Sequence, residues 1–170
     1  MLRCLVLLFA SLNVLPCVAR VLVSPDSTWR FFKGYSEASA PDATAWRQSG
    51  FDDSAWAISQ AAFYYENSPG SSTAYTGNTV LGDMDGNYTC IFLRQKFVVT
   101  NIYDVTALQI AALSDDGFIA WINGQEVGRF NMPSGDVPSE SLSMATQGCC
   151  RASVTSGCDI PKTATSVDGS

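Results

Sequence analysis

Along most of this chain, hydrophobic and polar positions alternate with a period of two. In "TWRFFKGY" (28–35), Trp29, Phe31 and Lys33 alternate with Arg30 and Phe32. In "CIFLRQKFVV" (90–99), Ile91, Leu93, Phe97 and Val99 fall on one face, with Arg94 and Lys96 on the other. "VLVS" (21–24), "ALQIAAL" (107–113) and "GFIAWI" (117–122) read as further short strands. Such patterning, rich in β-branched and aromatic residues, predicts antiparallel strands that share a packed inner face. Stretches rich in Ser, Gly, Pro and Asp separate them, notably "YSEASAPDAT", "ENSPGSSTAYTGN" and "LGDMDGN". No segment carries a helical period. Short strands with regular turn signals predict an all-β fold, an antiparallel β-sandwich or jelly roll.

The sharpest local signal is "FIAWINGQEVGRF" (118–130). Asn123 and Gly124 tolerate the positive φ angles of a type I′ turn, whose twist matches that of the flanking strands. Phe118–Ile122 and Gln125–Phe130 are therefore expected to form a tight hairpin. No Phe, Trp or Tyr occurs after Phe130. Residues 134–170 are accordingly expected to be an irregular, cysteine-containing tail that buries little apolar area.

The N-terminus changes the picture of where the protein acts. Arg3 precedes an apolar run from Leu5 to Val18, and Cys17 and Ala19 supply small residues at the spacing of a signal-peptidase site. Residues 1–19 read as a secretory signal peptide, which leaves residues 20–133 as the β-sandwich domain. After cleavage no second apolar run is long enough to span a membrane. The product is expected to be secreted and extracellular.

Composition narrows the chemistry. Hydrophobic residues make up 46% and charged ones 15%, which fits a packed core rather than a disordered chain. The signal peptide carries one basic residue, so the mature part keeps 9 of the 10 Lys and Arg against 16 Asp and Glu. An acidic chain without a basic cluster is not built for nucleic acid. Histidine is absent, which excludes Ser-His-Asp and Cys-His nucleophile systems and His-ligated zinc. Catalysis is not expected; a carboxylate-pair glycosidase is the one enzymatic alternative the composition supplies. Cys90, Cys149, Cys150 and Cys158 remain after cleavage, and four cysteines in an oxidising compartment allow three disulfide pairings.

Two oxygen-rich loops are candidate calcium sites, and calcium is the one cofactor the sequence suggests. In "SDDG", Asp115 and Asp116 are either hard oxygen ligands or the corner of a hairpin, where Asp accepts backbone N–H bonds. In "DMDGN", Asp83 and Asp85 offer a looser loop, but the EF-hand pattern fails at Tyr88 and Arg94. "NYT" (87–89) matches a glycosylation sequon and is treated as a chance match. The aromatic residues Tyr64, Tyr65 and Tyr75, with Arg129 near the end of the hairpin and Asn131 just after it, form the candidate ligand-binding set, since exposed aromatics stack on sugar rings.

Taken together, "TWRFFKGYSEASAPDATAWRQSGFDDSAWAISQAAFYY", "YTCIFLRQKFVV" and "SDDGFIAWINGQEVGRFNMP" resemble the galactose-binding-domain-like β-sandwiches of secreted bacterial proteins. The resemblance covers about residues 27–133. It implies a jelly roll, usually non-catalytic and often carbohydrate-binding, with carbohydrate or neighbouring extracellular domains as partners. A purely structural or interaction module without a small ligand is the alternative. It also implies that Trp29, Trp46 and Trp56 are core or near-core, and that Asp52 or Asp53 caps the backbone of "FDDSAW". The Asp115–Asp116 pair is similar to a calcium-holding dyad of protective-antigen-type adhesin domains. A closing strand of the type Gly-x-Asn-x-Leu-Ala-Val is missing, so the domain is expected to be cut short at its C-terminal end.

Overall fold

The computed structural model describes residues 20–65, 77–105, 107–114, 116–140 and 149–156. The signal-peptide reading of residues 1–19 lies outside them. Among the described residues eight strands form: β1 (Thr28–Lys33), β2 (Ala57–Gln60), β3 (Phe63–Tyr64), β4 (Thr79–Val80), β5 (Cys90–Phe97), β6 (Phe118–Ile122), β7 (Gln125–Phe130) and β8 (Cys149–Ser156). The only helical turns described are short 3-10 segments, Ala45–Arg47 and Ile102–Asp104. The protein is all-β, as the period-2 pattern requires.

Six strands make one sheet in the order β2-β1-β5-β8-β6-β7, and β3 and β4 make a second, two-stranded one. The hairpin β6–β7 forms where Asn123 and Gly124 predict it, with φ angles of 50° and 79°. Its ladder slips between Ala120 and Trp121, a bulge that absorbs one extra residue of β7.

The sheet is not wholly antiparallel. Strand β8 runs parallel to both its neighbours, with Cys90 opposite Cys149 and Ile122 opposite Val154, and β3–β4 is also parallel. This corrects the expectation of an irregular tail for 149–156. An inner strand pairs its backbone on both edges, and those hydrogen bonds do not require large side chains. Residues after 133 also pack against this body. Val137 is 6% exposed and belongs to the main core, while Ser139 donates its N–H to Glu37 at 2.6 Å. Residues 21–24 form no strand, and of residues 107–113 only Leu108 makes an isolated bridge; Val21 and Leu113 are mostly exposed.

Alternation along β5 feeds two cores. Cys90 and Phe92 join Trp46, Trp56, Ile119, Trp121, Met132 and Val137 on one face. Ile91 joins Leu81 and Tyr88 on the other, with Phe31, Phe63 and Leu93 packed against them. Trp46 is the hub of the first. Its ring lies edge-on to Phe92 at 5.1 Å and to Trp121 at 5.4 Å, and each such pair adds about 1 kcal/mol beyond area burial. The loop before it is shaped by polar side chains: Asp42 accepts the Thr44 N–H at 2.8 Å, and Ser39 Oγ accepts the Trp46 N–H at 3.1 Å. Trp56 is buried as expected, whereas Trp29 is only half-buried.

Arg94 overturns the polar-face reading of β5. Its side chain is 1% exposed and donates from Nε to Asp53 Oδ2 at 2.8 Å. It also donates to the carbonyls of Trp46 and Gln48. Arg30 approaches the other oxygen of Asp53 at 3.3 Å. Of the "FDDSAW" pair, Asp52 takes the capping role and accepts the Ser54 N–H at 3.0 Å. Asp53 serves instead as counter-ion to two guanidinium groups, which allows a charge to enter the core.

Candidate functional site

Strand β1 ends in "KGY" at the edge of the second core. Gly34 donates its N–H to the Cys90 carbonyl at 2.9 Å. A Cβ at this position would overlap the Sγ and carbonyl oxygen of Cys90, so only glycine permits this approach. The chain turns at once, with the Tyr35 N–H reaching Lys33 O at 2.8 Å, and Tyr35 is left 58% exposed.

Facing it is the "LGDMDGN" loop. Leu81 and Tyr88 are buried at its two ends. Met84 O accepts the N–H groups of Asn87 and Tyr88, and Gly86 takes the positive φ of 68° that closes the turn. Asn87 Nδ2 donates to the carbonyls of Asp83 and Asp85. These bonds aim the Asp83 carboxylate back at β1.

Three side chains converge on that carboxylate. Lys33 Nζ lies 2.6 Å and the Tyr35 hydroxyl 3.0 Å from Oδ2, and the Tyr88 hydroxyl donates to Oδ1 at 2.9 Å. The Tyr35 and Tyr88 rings meet edge-on at 4.8 Å, and Lys33 Nζ sits 5.8 Å from the Tyr88 centroid. The Lys33 ammonium, followed by the two phenol donors, holds the Asp83 carboxyl down at about 2. The hydrogen bond to Asp83 raises the Tyr35 phenol. Burial, then the same carboxylate, raises that of Tyr88. At neutral pH the surface therefore presents an ionised carboxylate, two protonated phenols and an exposed aromatic ring held in place.

The candidate ligand set is not gathered into this surface. Tyr64 and Tyr65 are half-buried around β3, with Tyr65 packed on the second core; Tyr75 lies outside the described residues. Arg129 holds Glu126 through two bonds at 2.8 and 2.7 Å and donates to the carbonyls of Pro133 and Gly135. It thus ties the turn after β7 to the strand. Asn131, at φ 50°, donates its side-chain amide to Asp116 O.

Of the calcium candidates, Asp115 lies outside the described residues. Asp83 already faces an ammonium group, and Asp85 is exposed on its turn. Among the described residues no three His, Cys, Asp or Glu side chains gather as a metal site. Sequence reasoning missed Lys33 and Tyr35 because Asp83 lies about fifty positions away, and it missed Tyr88, five positions from Asp83, because its role depends on what β1 brings to that carboxylate. The local trace was an aromatic residue directly after a strand-ending glycine. No family model, curated protein or solved structure matches the chain. Nor does any described helix have the length and apolarity to cross a membrane.

Proposed function

We propose that this chain is a secreted, non-catalytic carbohydrate-binding module with a galactose-binding-like jelly-roll fold, and that Tyr35, Lys33 and Asp83 form its sugar-binding surface. The carrying observation is the exposed Tyr35 ring, fixed through its hydroxyl to Asp83 and through its edge to Tyr88. A pyranose has an apolar C–H face and a rim of hydroxyls, so an ordered aromatic face beside charged hydrogen-bonding groups matches it. Preorganisation favours binding, because little side-chain freedom remains to be lost. Asp83 stays ionised at any physiological pH, so it has no proton to give to a leaving group.

The test is a screen of the mature chain and of Tyr35→Ala on immobilised glycans. Tyr35 is largely exposed, so the variant should fold normally and lose the signal. Binding unchanged in Tyr35→Ala would remove this surface as the site. The second reading, a structural or interaction module, draws on Phe130. It is 53% exposed on the edge strand β7 and stacked on Phe118 at 6.2 Å. A chain that ignores every glycan on the array would favour that reading.

A further inference from the structure

A concave site lies near the tyrosine surface. It is a cleft of about 150 Å³ between the 37–47 loop and the segment after β7, bordered by Glu37, Thr44, Arg47, Asp136, Val137 and Pro138. Arg47 forms its polar wall. The side chain is 13% exposed and donates to Asp136 Oδ1 at 2.7 Å, and its guanidinium lies 4.4 Å from the Trp121 ring centroid. Stacking on an aromatic face fixes the guanidinium plane. Asp136, 72% exposed, follows Gly135, whose φ is 80°. Glu37 accepts the Ser139 N–H through one oxygen, and a carboxylate retains acceptor capacity beyond one such bond. Val137 and Pro138 supply apolar surface.

A guanidinium donor next to a carboxylate acceptor complements two neighbouring hydroxyls, one accepting and one donating. Asp136 pairs with Arg47 and Glu37 borders the same cleft, so no uncompensated positive charge draws an anionic ligand, and paired donors and acceptors suit a neutral polyol. The volume is about half the lower bound for drug-sized pockets, room for one ring rather than a whole oligosaccharide. Position supplies the rest. Glu37 is two residues from Tyr35, so their Cα atoms are at most ~7 Å apart. Ser139 O accepts from both Thr89 Oγ1 and Cys90 Sγ, tying the cleft wall to the residues directly after Tyr88.

We propose that the Arg47–Asp136 cleft is a second sugar subsite continuous with the Tyr35 surface, so that the ligand is a neutral oligosaccharide engaged at two adjacent units. This rests on the carbohydrate reading of the Tyr35 surface. The test is an NMR titration of the mature chain with neutral hexose monomer, dimer and tetramer from gluco- and galacto-series. It is repeated on Arg47→Met and Asp136→Ala.

Affinity in the unaltered chain should rise at least about tenfold from monomer to tetramer, as an added charge-assisted contact implies. Both variants should abolish that rise and keep monomer binding. Equal affinity at every length, or a rise that survives both substitutions, overturns the second subsite and leaves the Tyr35 reading intact. Absence of binding by any member overturns both. If Arg47→Met fails to fold through loss of its Trp121 contact, Asp136→Ala decides alone, because that side chain stands mostly in water.

Discussion

Replacing Asp53 by alanine should be among the most damaging single changes in this protein. Asp53 is the counter-ion of Arg94, whose side chain is 1% exposed, and of Arg30, whose side chain is 34% exposed. Removing it leaves the Arg94 charge in the core with, among the described residues, the carbonyls of Trp46 and Gln48 as acceptors. Breaking a buried pair by deleting one partner costs about 3–5 kcal/mol, since the remaining charge keeps its desolvation penalty. Domains of this kind have ~5–15 kcal/mol in total, so Asp53→Ala should bring the protein near the edge of folding.

The Arg30 contact is partly in water and screened, and should account for less than about 1 kcal/mol of that loss. Chemical denaturation of the mature chain, Asp53→Ala, Arg94→Met and the double variant measures the cycle. The double variant should recover much of the loss, because an apolar side chain in place of a buried ion has no charge to strand. An adjacent control is Asp52→Ala, which removes one capping bond and should cost about 1 kcal/mol. Asp53→Ala within ~1 kcal/mol of the unaltered chain, or a double variant no better than Asp53→Ala, would refute the reasoning.

The acid limb of stability should carry the signature of Asp83. Its folded-state value of about 2 lies below the ordinary 3.8, so its contribution is fully present above the unfolded value and is lost as pH falls from near 4 toward 2. Melting temperature measured over that range should fall less steeply in Asp83→Asn. Identical slopes would show that Lys33 does not hold the carboxylate ionised. Gly34→Ala should destabilise by roughly 1–3 kcal/mol, because β1 must move away from Cys90. Gly124→Ala should cost only about 1 kcal/mol, the penalty of its positive φ, since the group its Cβ meets is the mobile end of Gln48. Thermal melts of the two variants rank them, and a reversed order would contradict the close β1–β5 approach.

Several features were legible in the residues because their causes are local. The Asn123–Gly124 hairpin needs two positive φ angles at adjacent positions, a property of those residues alone. Alternation along Cys90–Phe97 placed Ile91 and Leu93 on one face, where both meet the second core, since a strand directs alternate side chains to the same side. The all-β character follows from the same period.

Tertiary structure decided the rest. Arg94 reads as a surface residue until Asp53, from a segment 41 positions earlier, meets it in the core. Strand β8 has no hydrophobic signature, because main-chain bonds to β5 and β6 define it and backbone groups are the same in every sequence. The Asp83 surface joins the end of β1 to a loop some fifty residues on, in a register that β1–β5 pairing sets. Dihedral preference and side-chain alternation are written residue by residue. The neighbours that neutralise a buried charge, frame a strand or build a binding surface come from distant parts of the chain, and only the folded chain brings them together.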